Sequence, residues 1–413
     1  MKYQILTYGC QMNISDSERI ATVLEKSGYE PTSKIDEADL IVVNMCSVRQ
    51  SAVDRVFGLA KKFRKLKIEK QPFGESVSRP GKLKIVLTGC ILKKDKKKFE
   101  KIFDEVVNIE DLIRETRPKH SNDFSAFLPI MTGCNNFCAY CVVPYTRGRE
   151  ISRPAKKIIC EIKNLIKRGY KEIWLLGQNV NSYKDKNINF PKLLKMVNDI
   201  PGEFWVRFTS PHPKNFSDEL IDVMEKSKKY GHYLNLPVQS GDDKVLKKMN
   251  RFYTVAQYKN LVKKIRSKIP DISLSTDIIV GFPGETKKQF ENSVKLFKEI
   301  KFDMAYIAEY SPRSDTAASK MEDNVPDREK NGRKKVLNEI LKKTALEKNE
   351  EYIGKTVEAL IMEHKTYNIK HFFIGKIREY KTIKIQSNKN LLGKFVKVKI
   401  ISALPWGLKG KLC

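Results

Sequence analysis

Histidine is scarce in this 413-residue chain, with five copies. So are cysteine, with eight, and acidic side chains, with 49 Asp and Glu against 79 Lys and Arg. Each shortage excludes something. Eight cysteines over 413 residues are too sparse for a secreted disulfide scaffold, so a reducing, cytoplasmic compartment is expected. No stretch approaches the ~18 consecutive apolar residues of a membrane span, and no membrane partner is expected. The apolar run Tyr3–Thr7 meets polar Gln11–Arg19 almost at once, unlike a secretory leader. With 41% hydrophobic and 9% aromatic residues, whole-chain disorder is excluded. At ~100–200 residues per domain, the length predicts two to three domains.

The acid deficit leaves a net charge of +30, which asks for a polyanionic partner, nucleic acid first. The competing reading is a lysine-rich surface with no partner. Two concentrations favour function: residues 61–101 carry 15 basic and 4 acidic side chains, and residues 351–413 carry 13 and 4.

Three early apolar runs, Tyr3–Cys10, Leu40–Cys46 and Lys84–Cys90, each read as a buried strand leading straight to a cysteine. Helical patterns at Ser15–Ser27 and Val48–Lys67 separate them, and 68–81, with Pro72, Gly74, Pro80 and Gly81, reads as a surface loop. Alternation of this kind predicts a parallel α/β sheet, with ligands beyond the carboxyl ends of its strands. All three cysteines belong at that edge.

A second series predicts strands at Phe127–Thr132, Glu172–Gly177, Trp205–Thr209, Tyr233–Pro237, Ile272–Val280 and Met304–Glu309. Helices at 155–168, 191–199, 217–228, 255–267 and 286–299 lie between them. Six β/α units fall short of a closed eight-fold barrel, so a partial (β/α)6 barrel is expected. Met321–Ile353 reads as a long charged connecting helix. Residues 351–413 hold only short strands, a small basic β-barrel of the oligonucleotide-binding kind. The expected domains are 1–115, 120–350 and 351–413, an α/β architecture overall.

The sharpest chemical signal is Cys134-Asn-Asn-Phe-Cys138-Ala-Tyr-Cys141. Its spacing wraps three thiolates around one metal centre. Structural zinc takes four ligands, and neither a histidine nor a fourth cysteine lies within ten residues on either side. A four-iron cluster with three cysteines keeps one iron open to coordinate something else. Zinc and a disulfide are the alternatives.

This loop, following the first strand of a (β/α)6 barrel, resembles the radical S-adenosylmethionine superfamily. Cys141-Val-Val-Pro-Tyr-Thr-Arg-Gly-Arg-Glu-Ile-Ser-Arg-Pro154 narrows the likeness to the methylthiotransferases. So do Leu176–Tyr183, Leu236–Gly241, Lys248–Arg251 and Ser275–Thr286. The resemblance covers essentially the whole chain, with a TRAM domain at its end. Gln178-Asn-Val-Asn-Ser-Tyr183 and Tyr145-Thr-Arg-Gly-Arg149 resemble the branch acting on isopentenylated adenosine beside the tRNA anticodon. The alternative branches act on threonylcarbamoyladenosine or on a ribosomal protein. A zinc-stabilised RNA-binding protein is the non-enzyme alternative.

The resemblance implies two 4Fe-4S clusters, one held by Cys134, Cys138 and Cys141 and one by Cys10, Cys46 and Cys90, which by themselves also read as small buried hydrophobes. It implies two copies of S-adenosylmethionine, one donating a methyl group and one cleaved to a radical that activates carbon 2 of the adenosine. Tyr140, Gly177, Gln178, Gln239, Asp277 and Gly281 are the cofactor-side candidates, although Gln239 and Asp277 equally fit capping roles and the glycines equally fit turns. Arg147 and Arg149 suit an anionic substrate or structural salt bridges. Asn181 and Tyr183 are substrate-side groups by resemblance only. Lys376, Arg378, Lys394 and Lys397 are the expected RNA contacts of the tail. His212, between two prolines, reads as a loop residue, Cys160 as core and Cys413 as inert. The expected partners are a tRNA anticodon stem-loop, a flavodoxin- or ferredoxin-like reductant and an unspecified sulfur donor, acting on a monomer.

Overall fold

The computed structural model describes residues 1–48, 50–69, 83–113, 116, 118–367 and 370–413. The loop expected at 68–81 lies outside the described residues from residue 70 on. Packing divides the chain into two compact units. One comprises Met1–Ser121, Thr132–Glu150 and Ser311–Ser319; the other comprises Asn122–Met131, Ile151–Tyr310 and Lys320–Cys413. The cysteine loop therefore packs with the N-terminal segment, and the two expected C-terminal domains pack as one body.

In the first unit, β1 (Lys2–Tyr8), β2 (Glu30–Pro31), β3 (Leu40–Cys46), β4 (Lys84–Cys90) and β5 (Glu105–Val106) form a parallel sheet. Its order is β2-β1-β3-β4-β5. Every residue of β3 is buried, as expected of a central parallel strand covered on both faces. Ile41, Val43 and Met45 face Val53, Val56, Phe63 and Leu66, whereas Leu40 and Val42 face Ile20 and Ile113. That is the period-two alternation of a strand. The helix expected from Ser15 begins earlier, spanning Gln11–Lys26 as α1, because Cys10 is its N-cap and Asn13 accepts the Cys10 backbone N–H. The helix expected over Val48–Lys67 is two, Gln50–Gly58 and Ala60–Glu69, broken beside a glycine that disfavours helix interiors.

The second unit holds six parallel strands. Ser125–Pro129, Glu172–Leu176 and Trp205–Phe208 form one three-stranded sheet; Tyr233–Asn235, Ser273–Val280 and Met304–Glu309 form another. A Val206–Tyr230 bridge joins them. Among the described residues the first and last strands do not pair, so the partial barrel is open. Amphipathic helices cover it: in Ala155–Lys167, Ile158, Ile162 and Leu165 are buried at helical spacing. Cys160, expected in the core, falls off that stripe and is exposed. The long charged helix starts at Asp327, after Pro326, and packs Leu337 and Leu341 on the barrel.

Thr356–Tyr367, Lys370–Ile377, Thr382–Gln386, Phe395–Leu404 and Gly407–Leu412 form a closed five-stranded barrel. Its joint with the larger barrel is polar and buried. Arg207, with no exposed surface, pairs with Glu172 at 2.7 Å and donates to the carbonyls of Ile377 and Arg378. Two expected RNA contacts belong to this joint instead. Arg378 donates to the carbonyls of Tyr230 and Lys228. The Lys376 ammonium bonds Thr382 at 2.8 Å over the Tyr380 ring, and burial lowers its pKa. Lys376 is turned there by its place on the strand Lys370–Ile377, and Arg378 by the turn that follows that strand.

Glu172 also accepts bonds from Ser125 and Trp174, so it is a fully committed buried carboxylate. Arg207→Met would strand that charge. We expect a loss of about 3–5 kcal/mol in urea unfolding, with a smaller loss when Glu172→Gln is added to neutralise the orphan.

Candidate functional site

The register of β3 and β4 pairs Cys46 directly with Cys90 at the carboxyl ends of both strands. Cys10 follows β1, the strand on the other side of β3. The three thiols converge there, with Cys46 hydrogen-bonded to both neighbours. The bond from Cys46 pulls Cys10 down to about 6, aided by backbone N–H groups and by Arg147. Cys46 itself is pushed up by its bonds to Cys10 and Cys90 and by burial, and Cys90 is lowered by Cys46 and by the Arg147 charge. Arg147 Nε donates to Cys90 Sγ at 2.9 Å, and its Nη2 meets Asp16 Oδ2 at 2.6 Å. Both side chains of that ion pair are almost wholly buried. Arg147, expected to face substrate, is thus committed to Asp16 and a cysteine.

The second trio lies in the same unit. Gly133, at φ +77°, lets the chain turn against Arg149, where a Cβ would sit 2.0 Å from the Arg149 carbonyl oxygen. The turn is closed by the Cys134 N–H donating to the Gly148 carbonyl, and the Cys141 N–H donates to the Cys138 carbonyl. Cys134 is buried, which raises its pKa, while Cys138 and Cys141 are half-buried. Arg149 is exposed and stacks over the Phe137 ring at 4.5 Å. Tyr140 is half-buried within this loop.

All eight cysteines are free thiols, so the disulfide alternative falls. Among the described residues, one trio of possible ligands has every ligand atom within 4.8 Å of the others, namely His232, Asp271 and Glu379. Each cysteine trio supplies three thiols; structural zinc takes four ligands, whereas a four-iron cluster held by three thiols keeps one iron open.

In the second unit, polar groups gather at the carboxyl ends of the barrel strands. Asn235 donates to Asp277 at 3.0 Å. Gln178 Oε1, Asn235 Oδ1 and His212 Nε2 are buried without a hydrogen-bond partner. Buried unsatisfied atoms are rare and each costs ~1–3 kcal/mol; these three each lie at or just after the carboxyl end of a barrel strand. His212 accepts the Lys214 N–H at Nδ1, and burial lowers its pKa to about 3. It is therefore neutral, with its proton on Nε2. Gln239 holds a left-handed backbone at φ +70°, bridged to Ile278, a strained setting for a non-glycine residue. Asn235 was missed from the sequence, and His212 was set aside; nothing marked either one except a place at a strand end.

Four other expected site residues make contacts within the protein. The Asn181 amide exchanges two hydrogen bonds with the His212 backbone. Tyr183 is buried, and its hydroxyl donates to the Arg153 carbonyl at 2.7 Å, with its pKa raised to about 12 by burial. Gly177 leaves no room for a Cβ beside Met131. Gly281, at φ +68°, donates its N–H to Glu285 at 2.7 Å and makes a turn.

On the small barrel, Lys394 and Lys397 are exposed as expected. Exposed Lys399 lies opposite Lys411, and exposed Lys384 lies opposite Lys409, with Lys384 over the Phe372 ring. Like charges directly across strands repel, so these pairs cost the isolated barrel stability.

Comparison with known proteins agrees with this layout. Residues 2–109 match the uncharacterized protein family UPF0004, residues 128–297 match the radical SAM superfamily and residues 350–413 match the TRAM domain. A radical S-adenosylmethionine methyltransferase, TsrM, from Kitasatospora setae shares the fold at 13% identity. Its TM-score is 0.54, with 77% of each chain covered. Fold and cysteine loop together define a radical S-adenosylmethionine enzyme, a class that uses S-adenosylmethionine and a 4Fe-4S cluster. Two curated relatives, each called tRNA-2-methylthio-N(6)-dimethylallyladenosine synthase, are more specific. That of Thermoanaerobacter sp. (strain X514) is 41% identical, over 99% of this chain and 92% of the relative. That of Clostridium perfringens (strain SM101 / Type A) is 40% identical, over 99% and 97%. The chain belongs to the tRNA-2-methylthio-N(6)-dimethylallyladenosine synthase family.

Tyr183→Phe separates a core role from an RNA-facing one. Loss of the buried hydroxyl bond should lower stability by about 1 kcal/mol in chemical unfolding, with RNA affinity unchanged in a filter-binding titration. Gly133→Ala should disrupt the turn that holds Cys134 and lower the iron bound per chain, read by metal analysis.

Proposed function

We propose that this enzyme adds a methylthio group to carbon 2 of an isopentenylated adenosine beside the tRNA anticodon. The observation that carries this reading is the meeting of Cys10, Cys46 and Cys90 at one sheet edge, in a chain with a second cysteine trio. We assign one 4Fe-4S cluster to each trio. When bound, the clusters and two copies of S-adenosylmethionine supply one-electron reduction, a hydrogen-abstracting radical and the sulfur to be transferred. Such chemistry suits an adenine carbon that is neither acidic nor electrophilic and so lies beyond acid–base catalysis.

The protein's own groups bind and orient. Gln178, Gln239 and Asp277 are assigned to the cofactor, supported by the unsatisfied Gln178 oxygen and by Asp277 beside Asn235. Tyr140, Gly177 and Gly281 follow by resemblance. Arg149 keeps its assignment to the anionic substrate. For the tail, Lys394 and Lys397 are joined by Lys384, Lys399, Lys409 and Lys411, which replace Lys376 and Arg378. A stacked base cannot bring its carbon 2 against both a radical source and a sulfur, so the nucleotide is taken up extruded. We assign the enzyme to the cytoplasm, as a monomer served by a flavodoxin- or ferredoxin-like reductant.

Anticodon stem-loops bearing unmodified, isopentenylated or threonylcarbamoylated adenosine test the substrate. Methylthiolation of the isopentenylated RNA is expected by nucleoside mass analysis. Preference for the threonylcarbamoylated RNA would overturn the branch. Replacing Cys10, Cys46 or Cys90 by alanine should uncouple the reaction, with 5′-deoxyadenosine still formed and methylthio product lost. Changing Lys397, Lys399, Lys409 and Lys411 together to glutamine should flatten the logarithmic salt dependence of tRNA binding by about 3, at roughly 0.7–0.9 per contact.

A further inference from the structure

Arg147 stands apart from the other basic side chains. Its guanidinium is buried, and both sides of it are engaged: Nε donates to Cys90 Sγ at 2.9 Å and Nη2 pairs with Asp16 at 2.6 Å. Asp16 comes from α1, the helix that Cys10 caps. Arg147 caps the short helix Val143–Thr146, which begins two residues after Cys141. Its N–H donates to the Val143 carbonyl at 2.8 Å, and the neighbouring Gly148 carbonyl receives the Cys134 N–H. One side chain therefore ties the segment that folds the second cysteine loop to a sulfur of the first trio, and a buried carboxylate fixes its orientation.

We propose that Arg147, held by Asp16, is a positioning residue for the N-terminal iron–sulfur cluster, and that its N–H bond to Cys90 sulfur holds that cluster at a higher reduction potential. This rests on the assignment of a cluster to Cys10, Cys46 and Cys90. Hydrogen bonds to ligand sulfurs and nearby charge are principal determinants of cluster potential, and the groups that orient a ligand tune the metal. An N–H donor withdraws electron density from the thiolate and favours the reduced, more negative state. A planar guanidinium can serve sulfur and carboxylate at once, which a lysine ammonium cannot do with the same geometry. The ion pair also explains a cost: a buried charge pair seldom stabilises a fold, whereas here it holds a donor at a fixed distance from a ligand.

The test uses full-length protein with Cys134, Cys138 and Cys141 changed to alanine, so that only the N-terminal trio binds iron. After anaerobic reconstitution, iron is counted and the midpoint potential is read by redox titration followed by electron paramagnetic resonance. Arg147→Gln should keep its iron and lower the potential, shifting the reduction equilibrium tenfold or more, which is about 59 mV for one electron. Arg147→Lys should fall short of restoring it. Asp16→Glu, which keeps the carboxylate charge but displaces the pin on the arginine, should shift it in the same direction by less. Full iron with an unchanged midpoint in Arg147→Gln overturns the proposal. Should Arg147→Gln fail to hold a cluster, an unchanged midpoint in iron-replete Asp16→Glu overturns it equally. Absence of iron from the triple-alanine parent itself would instead refute the cluster assignment beneath it.

Discussion

Parallel pairing of β1, β3 and β4 is the constraint on which the N-terminal site depends. Parallel strands all end on the same side, so three cysteines 36 and 44 residues apart in sequence reach one edge without any local motif. The register between β3 and β4 is set by the buried faces. A slip of one residue would turn Val43 and Met45 from one packed layer to the other and separate Cys46 from Cys90. Hydrophobic patterning thus fixes where the three thiols meet. They are placed by the packing of valines and isoleucines, which is why the trio is invisible as a spacing rule and clear as three strand endings.

The same logic explains how much was legible. The strands ending at Tyr8, Cys46 and Cys90, the six parallel barrel strands and the all-strand character of the small barrel were readable because their apolar runs are bounded by glycine, proline or polar residues. Contacts between distant segments were not. Arg147 and Asp16 are 131 residues apart, and a cation beside a cysteine loop reads identically whether it meets RNA or a buried carboxylate. Lys376 and Arg378 are a related case. A basic residue on a barrel strand, as Lys376 is, or in the turn after it, as Arg378 is, carries no mark in the sequence of whether it meets solvent or the neighbouring barrel. Tyr183 and Asn181 sit in the stretch that resembles a functional signature, and both hydrogen-bond to backbone, a use that the signature does not show. The break at Gly58 was likewise masked by a periodicity that continues across it.

The two-unit packing has a further meaning. The cysteine loop at residues 134–141 folds with the N-terminal sheet, closed by Gly133 against Arg149 and by the Ala318 N–H donating to the Ala139 carbonyl. Residues 311–319, which follow the last barrel strand, belong to the same unit, and Arg313 meets Gln50 there. Both cysteine trios are thus carried by one compact body assembled from three separated stretches of chain. Their relative placement depends on that body's own core, with Arg147 as a direct polar tie within it.

Charge, finally, is divided between two uses that composition cannot separate. Arg147, Arg207, Lys376, Arg378 and Lys381 are spent inside the molecule on carboxylates, carbonyls, a hydroxyl and a sulfur; Lys381, for example, meets Asp303 at 2.6 Å with both side chains largely buried. Such residues hold barrels and ligands in place and contribute little to attraction at a distance. The lysines opposite one another on Phe395–Leu404, Gly407–Leu412 and Thr382–Gln386 are the reverse case. Cross-strand repulsion makes them a cost to the isolated barrel. A polyanion that displaces counterions across the whole face offsets that cost on binding. The surplus of +30 points to RNA through these few mutually repelling positions more than through its total.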